Sequence, residues 1–215
     1  MSGDLIGGSQ RLNELLAEAG LVALDAIEAD KFTSLLSLFV RWNARVNLSS
    51  IRDEDGILSR HFVECIACAR ALPVGISTLL DFGSGGGFPG IPIAVCRPEI
   101  AVTLAESQGK KAAFLHEAVR VLGIQAKVHA ERAELLASRF DCVTLRAVDR
   151  MAAAVAAAAS LVVPGGWLAL MTTRGDLTAL QAAAGAGFSW CEPVELPGSE
   201  DRLLSVGKLR VSLPT

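Results

Sequence analysis

The sequence predicts an α/β protein: a doubly wound, mostly parallel sheet that ends in an antiparallel hairpin and is preceded by a small helical segment. Three observations carry this. From Ser9 to about Ala71 apolar residues recur at helix spacing. After the break at Pro73-Val74-Gly75, short apolar runs alternate with helical stretches, the pattern of a parallel sheet. The tail then holds two strand-like runs with no helix between them. The division gives a helical segment over 1–72 and a sheet domain over 73–215.

Taken in order, Leu12, Leu15, Leu16 and Ala19 mark the first helix, and Phe32, Leu35, Leu36, Leu38 and Phe39 the second, with Ser9 and Asp30 as candidate caps. A third helix should begin near Asp53 and carry Ile57, Leu58, Phe62 and Ile66 on one face. Strands follow at Leu79–Phe82, Ala101–Leu104, Ala126–His129, Phe140–Leu145 and Trp167–Met171, with helices that include Lys110–Leu122 and the alanine-rich Met151–Ser160. Phe188–Val194 and Arg202–Val211, joined through Pro197-Gly198-Ser199, should pair as the closing hairpin.

The 215 residues are 51% hydrophobic with a net charge of −3, enough apolar content for a sizeable core. No apolar run is long enough to cross a membrane and the first residues lack the pattern of a signal peptide, so a cytoplasmic location is expected. Five cysteines agree with a reducing compartment. Cys65 and Cys68 form a C-x-x-C, but no second pair follows, and the apolar flanks read as buried helix rather than a metal site. The acidic balance argues against general nucleic-acid binding, so any such contact must be local. No long apolar seam demands a dimer, and a monomer is expected.

Thr78-Leu-Leu-Asp-Phe-Gly-Ser-Gly-Gly-Gly-Phe-Pro-Gly90 is the most informative stretch. A strand ends in Asp81 and breaks into a loop where Gly83, Gly85, Gly86 and Gly87 let the backbone approach a ligand closely. Gly85, Gly87 and Gly90 spell a literal G-x-G-x-x-G, which could cradle a dinucleotide pyrophosphate. Glu106 ends the next run and sits where a ribose-binding carboxylate belongs in either a dinucleotide or an S-adenosylmethionine site. Two features favour the methyl donor: Phe88 directly after the glycines, and the antiparallel ending. A tight strand-to-helix turn without a ligand is the bland alternative.

In such sheets ligands bind outside the carboxyl ends of the strands. That rule selects Asp81, Gly83, Gly85, Gly87 and Phe88, then Glu106 and Ser107, then Glu131, Arg132, Ala133 and Glu134, and finally Arg146, whose apolar neighbours imply a polar partner in the cleft. Phe88 could equally plug the core, and Glu134 could equally cap a helix. Before the sheet, Arg41 to Arg52 and Arg60-His61 combine positive charge, amides and the Trp42 indole, a mixture that fits RNA contacts. The same residues would also make a solvated helix end with Trp42 covering the core. Lys110 and Lys111 could extend the basic strip or simply be solvated surface.

The strings Trp42-Asn43, Val46-Asn47-Leu48, Ile51-Arg52, Arg60-His61-Phe62, Asp81-Phe-Gly-Ser-Gly-Gly-Gly-Phe-Pro-Gly-Ile-Pro92, Gly109-Lys110-Lys111, Phe114-Leu115, Arg132-Ala-Glu134, Phe140-Asp141 and Arg146-Ala147 together resemble the RsmG family, also called glucose-inhibited division protein B. The resemblance implies a class I S-adenosylmethionine-dependent methyltransferase acting on N7 of one guanine in the decoding-region loop of 16S rRNA. The RNA would be presented within the 30S subunit or an assembly intermediate. By the same resemblance Gly83, Phe88, Ala133, Glu134 and Arg146 match donor-binding positions. Asp81, Gly85 and Glu106 complete the expected cofactor set, and Arg60, His61, Lys110 and Lys111 are expected to hold RNA. Glu106 stands where the family often has Asp, Glu64-Cys65 where Asp-Ser is common, and Ser49-Ser50 where Thr-Ala is frequent. Because N7 carries a free lone pair and no proton, no general base is expected.

Overall fold

The computed structural model describes residues 3–211. Helix α1 spans Gly3–Glu18 and α2 spans Ala26–Val46. Neither expected cap serves: Ser9 lies inside α1 and Asp30 inside α2. The cap of α2 is Asp25, whose side chain accepts from Glu28 N at 2.8 Å while Glu28 Oε2 accepts from Asp25 N at 3.0 Å. This capping box satisfies two otherwise orphaned N–H groups, an arrangement open to Asp25 and closed to an acid already inside the helix. Asp53 does cap the next helix, accepting from Gly56 N at 2.7 Å. That helix runs on through α3 (Glu54–Ile57), a π-helical stretch (Leu58–Val63) and α4 (Glu64–Ala71).

Strands β1 (Thr78–Phe82), β2 (Ala101–Ala105), β3 (Ala126–His129), β4 (Phe140–Arg146) and β5 (Val162–Thr173) are mutually parallel. They are linked by α5 (Gly90–Cys96), α6 (Gly109–Leu122), a short 3₁₀ turn at Ala133–Leu135, and α7 (Met151–Ala159). After α8 (Leu177–Ala183) come β6 (Phe188–Trp190), β7 (Val194–Glu195) and β8 (Arg202–Leu209). The sheet order is β3-β2-β1-β4-β5-β8-β6, with β7 also against β8. The closing antiparallel pair forms, and its second strand lies inside the sheet, antiparallel to β5 on one side and to β6 on the other. Strand β5 starts earlier than its sequence suggested, because its register against β4 jumps from Phe140↔Val162 to Cys142↔Trp167. The residues in between, with Gly165 at φ +80°, form a bulge that a period-2 pattern cannot show.

Alternation along the strands feeds two apolar layers. Leu79 packs with Phe32, Phe39, Phe62 and Phe114 on the face covered by the N-terminal helices, α5 and α6, whereas Leu80 packs with Val143, Val155 and Leu168 on the face covered by α7. The N-terminal helices thus share one core with the sheet. Trp42 belongs to it: its ring meets Phe114 edge-on at 5.9 Å and its Nε1 donates to Glu117 Oε2 at 2.8 Å, while Arg41 pairs with the other Glu117 oxygen at 2.7 Å. Asn43 is 3% exposed and holds the following turn, donating to Ile51 O at 2.9 Å and accepting from Ser49 N at 2.8 Å. Among the described residues no helix is long and apolar enough to cross a membrane.

Candidate active site

A cavity of about 700 Å³ opens at the carboxyl ends of β1, β2 and β4, within the usual range for small-molecule sites. The chain makes it by three moves. First, β1 ends at Phe82 and the loop turns through Gly83 (φ +73°) and Gly85 (φ +54°). A Cβ on Gly83 would come within 3.0 Å of Val148, and one on Gly85 would meet only a carbonyl at 3.9 Å, so the first glycine permits packing and the second leaves room for a ligand. Second, Glu106 at the end of β2 is 7% exposed, accepting from Gly85 N at 3.0 Å and from Gln108 N at 2.7 Å. Its carboxylate thereby fixes the glycine loop to the second strand. Third, the loop after β4 brings Val148, Asp149 and Arg150 to the cavity, with Ala147 and Arg150 both at positive φ.

Of the residues expected to hold the cofactor, Gly83, Gly85, Phe88, Glu106, Ala133, Glu134 and Arg146 line this cavity together. Asp81 does not. It is fully buried under the loop, where Oδ2 accepts from Gly90 N at 3.1 Å and Oδ1 from Thr144 Oγ1 at 3.1 Å. Burial pushes its carboxyl up to about 6, against the pull of hydrogen bonds from Ser84, Gly90 and Thr144. Its task is to brace the loop from below, which a reading by strand ends alone could not separate from contact. Phe88 does both things the sequence allowed: it lines the cavity and joins the core, stacked on His61 at 4.8 Å and edge-on to Phe39 at 5.3 Å.

The residues expected to hold RNA divide. Arg60, His61 and Lys111 line the cavity, whereas Lys110 is exposed on the first turn of α6 outside it. His61 is a wall residue. Its Nε2 meets Ser49 Oγ at 2.7 Å and its Nδ1 meets Arg146 Nη1 at 3.1 Å. Arg146 can only donate, so Nδ1 accepts and Nε2 carries the proton. Burial, with Arg146 and Arg60 alongside, lowers His61 to about 3, so the ring is neutral and supplies no cation for phosphate.

Arg146 has the polar partners its sequence context called for, donating to Arg60 O at 2.7 Å and lying 3.5 Å from Glu64. Sequence reasoning missed Glu64, Arg202 and the Val148-Asp149-Arg150 loop. An acid between Val63 and Cys65 on an apolar helix face was the available signal for the first. The strand-end rule, extended two residues past Arg146, would have found the last. Cys65 and Cys68 are free and buried, with burial pushing the Cys65 thiol up to about 12.

Residues 28–189 match the family described as GidB, rRNA small subunit methyltransferase G. The chain is 40% identical over 191 residues to a ribosomal RNA small subunit methyltransferase G of Xanthomonas euvesicatoria, covering 85% of this chain and 88% of that one. It is 39% identical over 210 residues to the protein of that name from Roseiflexus castenholzii, covering 91% and 90%. Among solved structures, the cofactor-bound Rv0187 from MTB superposes with a TM-score of 0.63 at 18% identity, covering 93% of this chain and 96% of that one. Mitomycin 7-O-methyltransferase MmcR does so with 0.61 at 14%, covering 79% and 60%. The fold is thus that of the class I methyltransferases, and the chain belongs to the rRNA small subunit methyltransferase G family.

Proposed function

We propose that this protein transfers a methyl group from S-adenosylmethionine to N7 of one guanine in 16S rRNA, presented by the 30S subunit or an assembly intermediate. The observation that carries the reading is the glycine loop tied by Glu106 across the mouth of two parallel strands, beside a cavity of small-molecule size, in a chain of this family. The residues fit the donor. Gly85 leaves open space, Glu106 retains lone pairs that would accept from ribose hydroxyls, and Ala133 and Glu134 in the lining would help to hold the donor. When bound, S-adenosylmethionine supplies an electrophilic sulfonium methyl.

The protein's part is placement. N7 of guanine has an in-plane lone pair and no proton to lose, so the transfer needs no general base. The imidazole in the lining is consistent with that: both nitrogens of His61 are engaged and the ring stays neutral. Alignment of donor and acceptor contributes on the order of 7 to 11 kcal/mol in reactions of this type. The cavity is lined by five cationic side chains (Arg60, Lys111, Arg132, Arg146, Arg150) and four carboxylates (Glu106, Glu131, Glu134, Asp149), and buried Glu64 behind the wall pairs with Arg60 and Arg146. Lys111 and Arg150, which form no ion pair among the described residues, are the lining cations open to a polyanionic acceptor.

The test is transfer of labelled methyl from S-adenosylmethionine to 30S subunits from a strain lacking this enzyme, followed by digestion. Label in 7-methylguanosine at one position is the expected result, and label in any other nucleoside overturns the acceptor. A second expectation concerns RNA. Replacing Lys110 and Lys111 together by Ala should weaken 30S or rRNA binding and flatten its dependence on log salt concentration by roughly 0.7 to 0.9 for each phosphate no longer neutralised. An unchanged salt slope would remove both lysines from the RNA surface.

A further inference from the structure

Glu64 is 1% exposed at the start of α4, between apolar Val63 and Cys65, and three arginines converge on it. Arg202 Nη2 is 2.6 Å from Oε1, Arg60 Nε is 3.1 Å from the same oxygen, and Arg146 Nη2 is 3.5 Å from Oε2. The three come from separate elements: the π-helical stretch, the end of β4 and the start of β8. Two of them, Arg60 and Arg146, line the cavity. A buried carboxylate is tolerated only with such counter-charges, and the dependence is mutual. With Glu64 neutral, three like charges would face one another over a few ångströms, and Arg60 and Arg146 would be driven toward the cavity they border.

We infer that Glu64 is a positioning residue: its carboxylate fixes where the Arg146 guanidinium stands, and through Arg146 it fixes the tautomer of His61. Arg146 is 14% exposed, and beside its ion pair with Glu64 it reaches Arg60 O through Nη2 at 2.7 Å, and His61 Nδ1 at 3.1 Å and Cys65 Sγ at 3.7 Å through Nη1. The π-helical stretch takes part directly, because the Arg60 carbonyl that accepts from Arg146 lies within it. Glu64 itself stands outside the lining and acts on the cavity only through its partners. The consequence for donor binding rests on the reading of this cavity as the S-adenosylmethionine site.

The experiment measures S-adenosylmethionine affinity by calorimetry and the His61 ring by ¹⁵N NMR, on wild type, Glu64→Gln and Glu64→Asp. Glu64→Gln should bind the donor about tenfold more weakly, and its His61 signals should leave the pure Nε2–H pattern. Glu64→Asp, which keeps the charge, should stay within about threefold of wild type with the tautomer retained. A folded Glu64→Gln protein with unchanged affinity and unchanged His61 signals overturns the assignment and leaves Glu64 a purely structural ion. If that variant does not fold, the Glu64→Gln/Arg202→Gln double variant removes the buried charge with its nearest partner and is read by the same two outcomes. A wild-type protein that fails to bind S-adenosylmethionine would refute the donor site instead, while the His61 signals would still decide for or against Glu64.

Discussion

Replacing Glu106 by Ala should weaken S-adenosylmethionine binding by about a hundredfold or more, with β2 still in place. Both oxygens of this carboxylate receive backbone N–H groups, Gly85 at 3.0 Å and Gln108 at 2.7 Å. Hydrogen bonds to a charged acceptor contribute roughly 1.5 to 3 kcal/mol each. Losing the pair unties the glycine loop from the second strand and also removes the acceptor offered to the ribose. Even the lower figure for both gives about 3 kcal/mol, or two decades of affinity. Glu106→Gln keeps one acceptor oxygen of the two and should fall between, near tenfold. Calorimetric titration of the three proteins decides the matter. An Ala variant within threefold of wild type would mean that Glu106 neither holds the loop nor meets the donor.

The second large effect is on stability against pH, and it comes from His61. Its folded value of about 3 lies below the ordinary 6.5, so native protein favours the neutral ring. The resulting stabilisation is fully present above pH 6.5 and is lost as pH falls toward 3, on the order of 5 kcal/mol over the whole span. Asp81 works the other way. Raised from 3.8 to about 6, it contributes fully below 3.8 and loses that contribution, about 3 kcal/mol, as pH rises through 6. The two oppose each other between pH 4 and 6, so a single stability curve would hide both. The difference between wild type and His61→Gln isolates the larger. Measured by urea unfolding, it should shrink by about 3 kcal/mol from pH 7 to pH 4. A constant difference would show that the ring titrates normally in the folded protein.

Much of this architecture was legible because it follows from periodicity. The parallel strands, the closing antiparallel pair and the glycine loop with Glu106 beside it all show in residue order. The failures have physical causes. Asp81 ends a strand just as a ligand-binding acid would, and only the packing of Gly90 and Thr144 against it shows that it faces down. Trp42, beside Arg41 and Arg45, left an RNA surface and a cover over the core both open, and the packing against Phe114 with the bond to Glu117, 75 residues later, bears out the second. His61 next to Arg60 reads as a second cation, yet Arg146, arriving from β4, helps to keep it neutral once it is buried. Glu64 left a signal as an acid on an apolar helix face, but its pairing with distant Arg202 leaves no trace in local pattern.

Strand β8 is the last in chain order among the described residues yet occupies an interior place in the sheet, between β5 and β6. It also delivers Arg202, the nearest partner of Glu64. During synthesis from the N-terminus, the other described strands and all four cavity arginines therefore emerge before the sheet can close. Until then β5 presents an open edge able to pair with another chain, and the buried acid lacks its closest counter-charge. Completion of the binding wall thus waits for β8 to arrive. A fragment ending before Arg202 would carry the whole glycine loop and leave Glu64 without its nearest counter-charge.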